Sequence, residues 1–400
     1  MPKRLSVRDL EVRGKRVFVR VDFNCPIGAD GRVSDDTRIV AALPTLRYLA
    51  EKGARIILAS HLGRPKAKPE PKYSLKPVAD RLRHLLKLPV EFAPDCVGPE
   101  VEELALRLTN GSFLLLENVR FHPGEEANDP EFARALARCA ELYVNDAFGS
   151  AHRAHASTEG ITKFLQPAAA GFLMEKELQY LGLAVGEPKR PFWAVMGGAK
   201  ISGKIDVIDH LFDRVDGLLI GGGMAFTFFK AAGRPIGASL LEADRVGLAG
   251  ELVQQAAARG IPLVLPNDLM IAKGPAGSDE HRPLAGVDVP DGWMGVDIGP
   301  ATVEEFRRRL QGAGTILWNG PMGIFEVEPF AAGTLGVAQA LAEATRAGAV
   351  TIVGGGDSAA ALTRLGLDSA VSHVSTGGGA SLEFLEGKVL PGVAALTPKR

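Results

Sequence analysis

AVTIVGGGDSAA, from Ala349 to Ala360, runs from an apolar, strand-like segment straight into three glycines and then into a stretch of helical character. The same order recurs in FWAVMGGAKISGK (Phe192 to Lys204), GLLIGGGMAF (Gly217 to Phe226) and VSHVSTGGGAS (Val371 to Ser381). Glycine lets a backbone approach a ligand closely and adopt positive φ. A helix start offers N–H groups that have no intrahelical partner. Four such junctions on one sheet predict a wall of donors suited to a polyphosphate.

Outward from these junctions, short apolar runs alternate with amphipathic stretches almost throughout. In the first half the strand candidates are Arg16–Asp22, Arg55–Ser60, Val90–Ala93, Ser112–Leu116 and Leu142–Asn145. In the second half they are Phe192–Met196, Gly217–Ile220, Pro262–Leu265, Thr315–Trp318, Val350–Val353 and Val371–Ser375. Between them lie helix-like segments such as Ser74–Lys87, Pro130–Ala140, Glu242–Arg259 and Thr302–Leu310, with Asp36 and Ser74 as candidate N-caps. Alternating β and α elements, with strands apolar on both faces, predict parallel sheets covered on both sides.

The fold class expected is α/β, two Rossmann-like domains, each a parallel sheet covered by helices, joined by a hinge helix. A length of 400 residues exceeds one ordinary core, and residues 1–200 hold only 15 of the 47 glycines. That imbalance predicts two domains with different tasks. AGFLMEKELQYLGLAVG followed by the polar GEPKRP reads as an interdomain helix and connector at 171–190. It separates a domain at 1–170 from one at 191–387. The tail 388–400 shows no helical pattern and is not placed by it.

Composition narrows the function. The net charge of −1 leaves no basic surplus for nucleic acid or an anionic membrane, so anions must be held by local clusters. No apolar h-region opens the chain and no run approaches the ~20 apolar residues of a membrane span, so a cytoplasmic protein is expected. Cys25, Cys96 and Cys139 are odd in number and lack CxxC spacing, which predicts small apolar fillers in a reducing compartment.

Two of the glycine segments nearly match known motifs. Gly198 to Lys204 spells G-x-x-x-x-G-K, but Ile205 stands where a P-loop needs a hydroxyl for magnesium. What remains is Lys200 and Lys204, spaced i,i+4 at an expected helix start, so that both can face one phosphate chain. GGGDSA (Gly354 to Ala359) fits the dinucleotide fingerprint, yet the next strand ends in STGGG without the ribose-binding carboxylate. Asp357 there could hold Mg²⁺ or could simply cap a helix. WNGPMGIFE places Asn319 and Glu326 on a strand-end loop, where open parallel sheets bind ligands, although Asn-Gly is also ordinary turn chemistry.

The first half offers side-chain cations instead. Asp22 and Asn24 fall on one side of an extended segment at a strand's carboxyl end. HLGRP, LENVRFHPGEE and VNDAFGSAHRAHAS bring His61, Arg64, Arg120, His152, Arg153 and His155 to further strand ends, and Arg38 opens a helix beside them. Arginine binds phosphate or carboxylate through a planar fork. His61, His122, His152 and His155 gather here, but none has an HxxxH context or a carboxylate at ligand spacing, so phosphate donation rather than metal binding is expected.

Taken in order, RVDFNCP, HLGRP, LENVRFHPGE, NDAFGSAHRAHAST, AGFLMEKEL, GGAKISGKI, IGGGMAFTF, WNGPMGIFE, GGGDSA and STGGGAS resemble the phosphoglycerate kinases over nearly the whole chain. The resemblance implies 3-phosphoglycerate or 1,3-bisphosphoglycerate on the N-terminal domain and Mg-ATP or Mg-ADP on the other, in a monomer. It implies a substrate pocket of Asp22, Phe23, Asn24, Arg38, His61, Leu62, Gly63, Arg64, Arg120 and Arg153. On the nucleotide side it implies Lys200, Lys204, Gly221, Gly222, Gly223, Gly295, Asn319, Glu326 and the Gly355, Gly356, Asp357, Ser358 turn. Glu326 would hold the ribose and Asp357 the magnesium. Ser358 stands where many relatives have threonine, and both keep a hydroxyl.

The reaction so implied has an ionised carboxylate as nucleophile and needs no general base. Arg38, Lys200 and the helix starts near Gly356 and Gly378 are then expected to stabilise the moving phosphoryl, after closure about the 171–190 segment. A P-loop-type NTP hydrolase is the competing expectation, and it would consume ATP without 3-phosphoglycerate.

Overall fold

The computed structural model describes residues 3–277 and 279–399. It divides into two compact units, residues 1–179 with 389–400, and residues 180–388. The chain passes from one to the other within the helix Phe172–Val185.

The first unit is built on a parallel sheet of six strands: β1 (Arg16–Arg20), β2 (Arg55–Ala59), β3 (Val90–Phe92), β4 (Phe113–Leu115), β5 (Leu142–Asn145) and β6 (Ala168–Ala170). Their order across the sheet is β3-β4-β2-β1-β5-β6. Strand β1 lies at the centre, with Arg20 opposite Ala59 of β2 on one side and Asn145 of β5 on the other. Val17, Val19, Ile56, Leu58, Phe113, Leu115 and Val144 point into a core closed by Ile39, Leu43, Leu46 and Leu49 of the helix Thr37–Glu51. The spacing of those helical residues turns one stripe inward and leaves Arg38 in the first turn at the sheet's carboxyl edge. Phe18, Ile57, Leu114 and Tyr143 are buried on the opposite face, so the strands are apolar on both sides as their sequences require.

The second unit repeats the plan with β7 (Phe192–Met196), β8 (Gly217–Ile220), β9 (Leu263–Val264), β13 (Thr315–Asn319), β14 (Val350–Gly354) and β15 (His373–Val374), ordered β15-β14-β13-β7-β8-β9. All these pairings are parallel. From β7 the chain first builds outward through β8 and β9, then returns to place β13 on the other side of β7, with Met196 level with Asn319. That reversal leaves a crevice between the loops after β7 and β13, where open α/β sheets receive ligands.

Some elements depart from expectation. A three-stranded antiparallel sheet, β10 (Leu269–Ala272), β11 (His281–Leu284) and β12 (Met294–Ile298), was not foreseen, nor was β6. Alanine has little strand preference, and β11 is polar and exposed, so neither carries a strand signature. The tail re-enters the first unit. Pro391–Ala394 makes one helical turn, and the Thr397 amide donates to the Ala168 carbonyl of β6. Asp36 occupies an N-cap position without capping; its carboxylate accepts from Arg81 Nε at 2.8 Å. Ser74 is not the N-cap: that position falls on Leu75, although the Ser74 hydroxyl accepts from the Lys76 amide.

Candidate active site

In the first unit, consecutive turns of chain at the carboxyl ends of β1, β2, β4 and β5 assemble a cup of cations. Arg38 Nη1 lies 2.6 Å from Asp22 Oδ2. Burial opposes ionisation of Asp22, but His61, Arg38 and Arg20 outweigh it and hold the carboxyl at about 2. Arg20 is fully buried: its Nε donates to Ser157 Oγ at 2.8 Å, and Nη2 meets His61 Nδ1 at 3.2 Å. An arginine can only donate, so His61 Nδ1 accepts and the imidazole proton sits on Nε2. Burial, joined by the Arg20, Arg120 and Arg38 charges, pushes His61 well below its ordinary pKa. At neutral pH it is therefore an uncharged donor among guanidinium groups, and it bears charge against Asp22 only in acid.

Behind it, Ser157 donates its hydroxyl to Glu125 Oε1 at 2.6 Å and its amide to Oε2 at 2.9 Å. Glu125 is wholly buried and balances Arg20 from beneath. Arg20 and Glu125 escaped the sequence reading. On the same period of two, Arg20 falls on the side of the strand that Asp22 and Asn24 share, a signal present in the sequence.

The other expected residues divide by what their atoms already do. Asn24 Oδ1 accepts from the Gly63 amide at 2.8 Å, and the Gly63 carbonyl accepts from Arg120 Nη1 at 2.8 Å, so Gly63 ties Asn24 to Arg120. Phe23 and Leu62 are buried in the core, and the Phe23 amide is taken by Ser60 Oγ. They position the loop and present no side chain to a ligand. Arg64 is exposed, and Arg153 Nε donates to His152 Nε2 at 3.1 Å. The expectation of four phosphate-donating histidines narrows. His122 pairs with Asp95 at 2.7 Å, and buried His155 lies 3.9 Å from Glu125.

The second unit holds its residues around two adjoining cavities. One, of about 320 Å³, is lined by Lys200, Lys204, Asn319, the 355–358 turn and Gly378. Lys204 Nζ donates to Asn319 Oδ1 at 2.6 Å. Burial lowers the Lys204 pKa, with Asp357 acting the other way. Asn319 is buried, and its Nδ2 has no partner among the described residues. A buried amide left with free N–H groups is a site waiting for an acceptor.

The two lysines do not share a helix face as their spacing suggested. The helix begins at Ile205, and Lys200 sits in the preceding loop, whose Ile201 and Ser202 amides are held by Glu242. They nevertheless meet at one cavity. Gly355 takes φ +89° as N-cap of the helix Gly356–Arg364, so Asp357 is not a cap, and its exposed carboxylate borders the cavity. Ser358 is buried, and its Oγ accepts from the Gly320 amide at 2.6 Å.

The neighbouring cavity, of about 190 Å³, is mainly apolar. Gly222, Gly223, Gly295 and Glu326 line it with Phe226, Leu240 and Met322, and it shares Gly198, Ala199 and Asp357 with the first. Gly221 lies beneath, packed on the Met322 sulfur rather than facing the cavity. Gly222 has φ +66°, and a Cβ there would sit 2.6 Å from the Gly198 nitrogen and 2.7 Å from the Pro321 oxygen. Only glycine lets these loops close together. The apolar wall itself was missed because its residues come from segments with no shared pattern. Asp297, in the same wall, accepts from the Gly333 and Ile298 amides, and burial pushes its carboxyl up to about 7.

The family model for phosphoglycerate kinase matches residues 7–388. The phosphoglycerate kinase of Chlorobium limicola is 56% identical over 391 residues, covering 98% of both chains. The cytosolic phosphoglycerate kinase of Triticum aestivum is likewise 56% identical, over 98% of this chain and 97% of its own. Among solved structures, the phosphoglycerate kinase of Coxiella burnetii superposes with a TM-score of 0.88 at 40% identity, covering 98% of this chain and 99% of that one.

Proposed function

The chain belongs to the phosphoglycerate kinase family, and from that premise we propose that the cup of the first unit holds 3-phosphoglycerate and the trough of the second holds ATP or ADP. The protein is a phosphotransferase: it moves a phosphoryl group between 1,3-bisphosphoglycerate and ADP, giving 3-phosphoglycerate and ATP. The observation that carries the nucleotide assignment is the convergence of Lys204, Asn319 and the 355–358 turn on one cavity at the β7/β13 crevice.

Asp357 fits Mg²⁺, which takes one or two carboxylates together with substrate phosphates. Bound there, the ion would neutralise charge shared by the β- and γ-phosphates. Asn319 Nδ2 and the amides opening the helix Gly356–Arg364 suit phosphate oxygens, and the apolar cavity suits a purine, with Glu326 at its rim for the ribose. The helix Gly379–Leu385, capped by Gly378, opens onto the same cavity.

In the direction of ATP use, a carboxylate oxygen of 3-phosphoglycerate attacks the γ-phosphorus. A new C–O–P bond forms, the bond to the ADP oxygen breaks, and no proton moves. Catalysis is then alignment and charge stabilisation. Arg38 steadies the attacking carboxylate while Asp22 fixes its fork. His61 Nε2–H, Arg64, Arg120 and Arg153 hold the substrate's own phosphate end. Lys200, exposed and unconstrained by a helix, follows the phosphoryl as charge redistributes, and Lys204 holds the nucleotide. Bending within 171–190 brings the ligands together and excludes water from the acyl phosphate. Work as a monomer in the cytoplasm completes the reading; no helix among the described residues is long and apolar enough to cross a membrane.

A coupled assay of ATP consumption tests this directly. Consumption should require 3-phosphoglycerate. Turnover of ATP alone would instead favour a hydrolase, which the missing hydroxyl at Ile205 already argues against.

A further inference from the structure

We propose that Asp95, Cys96 and His122 form a binding site for one zinc-type transition-metal ion, separate from both cavities of the second unit. Asp95 and Cys96 follow β3, and His122 follows β4 after the turn Val119–Phe121. These strands are parallel neighbours, with Phe92 level with Leu115, so their carboxyl ends deliver the three side chains to one place. One ligand atom from each lies within 4.8 Å of the other two. His122 Nε2 is 2.7 Å from Asp95 Oδ1, and the same oxygen accepts from the Cys96 amide at 2.6 Å. Phe132 stacks on the imidazole with ring centroids 5.1 Å apart, which limits its rotation.

The donor set selects the class of ion. A thiolate with an imidazole and one carboxylate suits zinc or cobalt, whereas magnesium and calcium prefer oxygen alone. Three protein ligands leave a fourth tetrahedral position for water. The ion would replace the proton between His122 and Asp95 and displace the one on Cys96. Access is from the solvent side: the Asp95 and His122 side chains are 48% and 31% exposed, while Cys96 forms the buried floor. Once bound, the ion would staple the loop after β3 to the segment carrying Arg120, two residues before His122. Sequence spacing could not reveal this set, because His122 lies 26 residues beyond Cys96 in the chain and meets the Asp95–Cys96 pair only through strand pairing.

The test is a Co²⁺ titration of the full chain without nucleotide, in excess Mg²⁺ to occupy oxygen-only sites. One equivalent should bind with tetrahedral d–d absorption and a near-ultraviolet thiolate-to-cobalt band, and Zn²⁺ should bleach both. Cys96→Ser should abolish the near-ultraviolet band. His122→Gln, at a half-exposed position, should weaken Co²⁺ binding by more than the ~10–100-fold that loss of an outer-shell partner costs. Asp357→Asn should leave the spectrum unchanged. No thiolate band at saturating Co²⁺, a band that survives Cys96→Ser, or an affinity unmoved by His122→Gln would each overturn the proposal. Should Cys96→Ser fail to fold, His122→Gln decides.

Discussion

The cup of the first unit and the trough of the second prepare for anions by opposite means. The cup gathers guanidinium groups and pins them with carboxylates, Arg38 directly on Asp22 and Arg20 through Ser157 to buried Glu125. The trough relies on glycine-rich turns that bring backbone amides to its wall, beside Lys200, Lys204 and Asp357 and an Asn319 Nδ2 that has no partner among the described residues. A small substrate with two anionic ends calls for directional side chains. A long nucleotide calls for an extended surface that backbones can approach. The contrast therefore predicts that cup residues respond to loss of charge and trough residues to gain of bulk.

The sharpest break would come at Arg38. Arg38→Ala should lower kcat by roughly 10²–10³-fold, the scale of losing one donor to transition-state charge, while nucleotide affinity changes little. Steady-state kinetics with both substrates varied would show it, and an unchanged kcat would remove Arg38 from the mechanism. In the trough the matching change adds atoms. Gly222→Ala forces an L-residue to φ +66° and drives a Cβ onto the Gly198 backbone. It should destabilise the protein by about 1–3 kcal/mol and raise the KM for ATP, read by urea unfolding and by kinetics. A neutral result would mean that the loops around Gly198 and Pro321 relax freely.

Arg64 probes the cup more gently, because its side chain is exposed. Arg64→Ala should raise the KM for 3-phosphoglycerate about 10-fold, the loss of one charged hydrogen bond, with kcat nearly kept. If nucleotide affinity fell instead, the ligands would be assigned to the wrong units.

Much of this contrast was legible in the chain. Parallel strands announce themselves by runs apolar on both faces, and the glycine junctions and strand-end arginines stand next to those runs. What stayed hidden depended on contacts between distant segments. The sheet β10–β12 joins an apolar strand, a polar exposed one and MGVDI, whose pairing has no local signature, so Gly295 was reached only through resemblance. The i,i+4 reading of Lys200 and Lys204 failed because the Glu242 carboxylate holds the 201–202 amides in a loop, and Glu242 lies 40 residues away from Ser202. The apolar wall of Phe226, Leu240 and Met322 is scattered for the same reason.

The smallest effect sharpens the comparison through two carboxylates. Asp22, amid the cup's cations, is held at about 2, whereas Asp297, in the trough's apolar wall, is pushed up to about 7 by burial that its two amide donors only partly offset. Asp297 therefore keeps in the folded state a proton that the unfolded chain has already lost. Its contribution is complete below the ordinary aspartate value and disappears as pH rises through about 7. Between pH 6 and 8 the protein should lose about 1 kcal/mol from this group, and Asp297→Asn should flatten that slope in urea titrations. Asp22 has the opposite sign: its contribution is present above the ordinary value and is lost only as pH falls towards 2, so Asp22 stays silent in the same window. Carboxyl-carbon NMR would separate them, with one resonance moving near neutrality and the other fixed. Two resonances moving together would mean that the trough and the cup do not differ in the way their side chains imply.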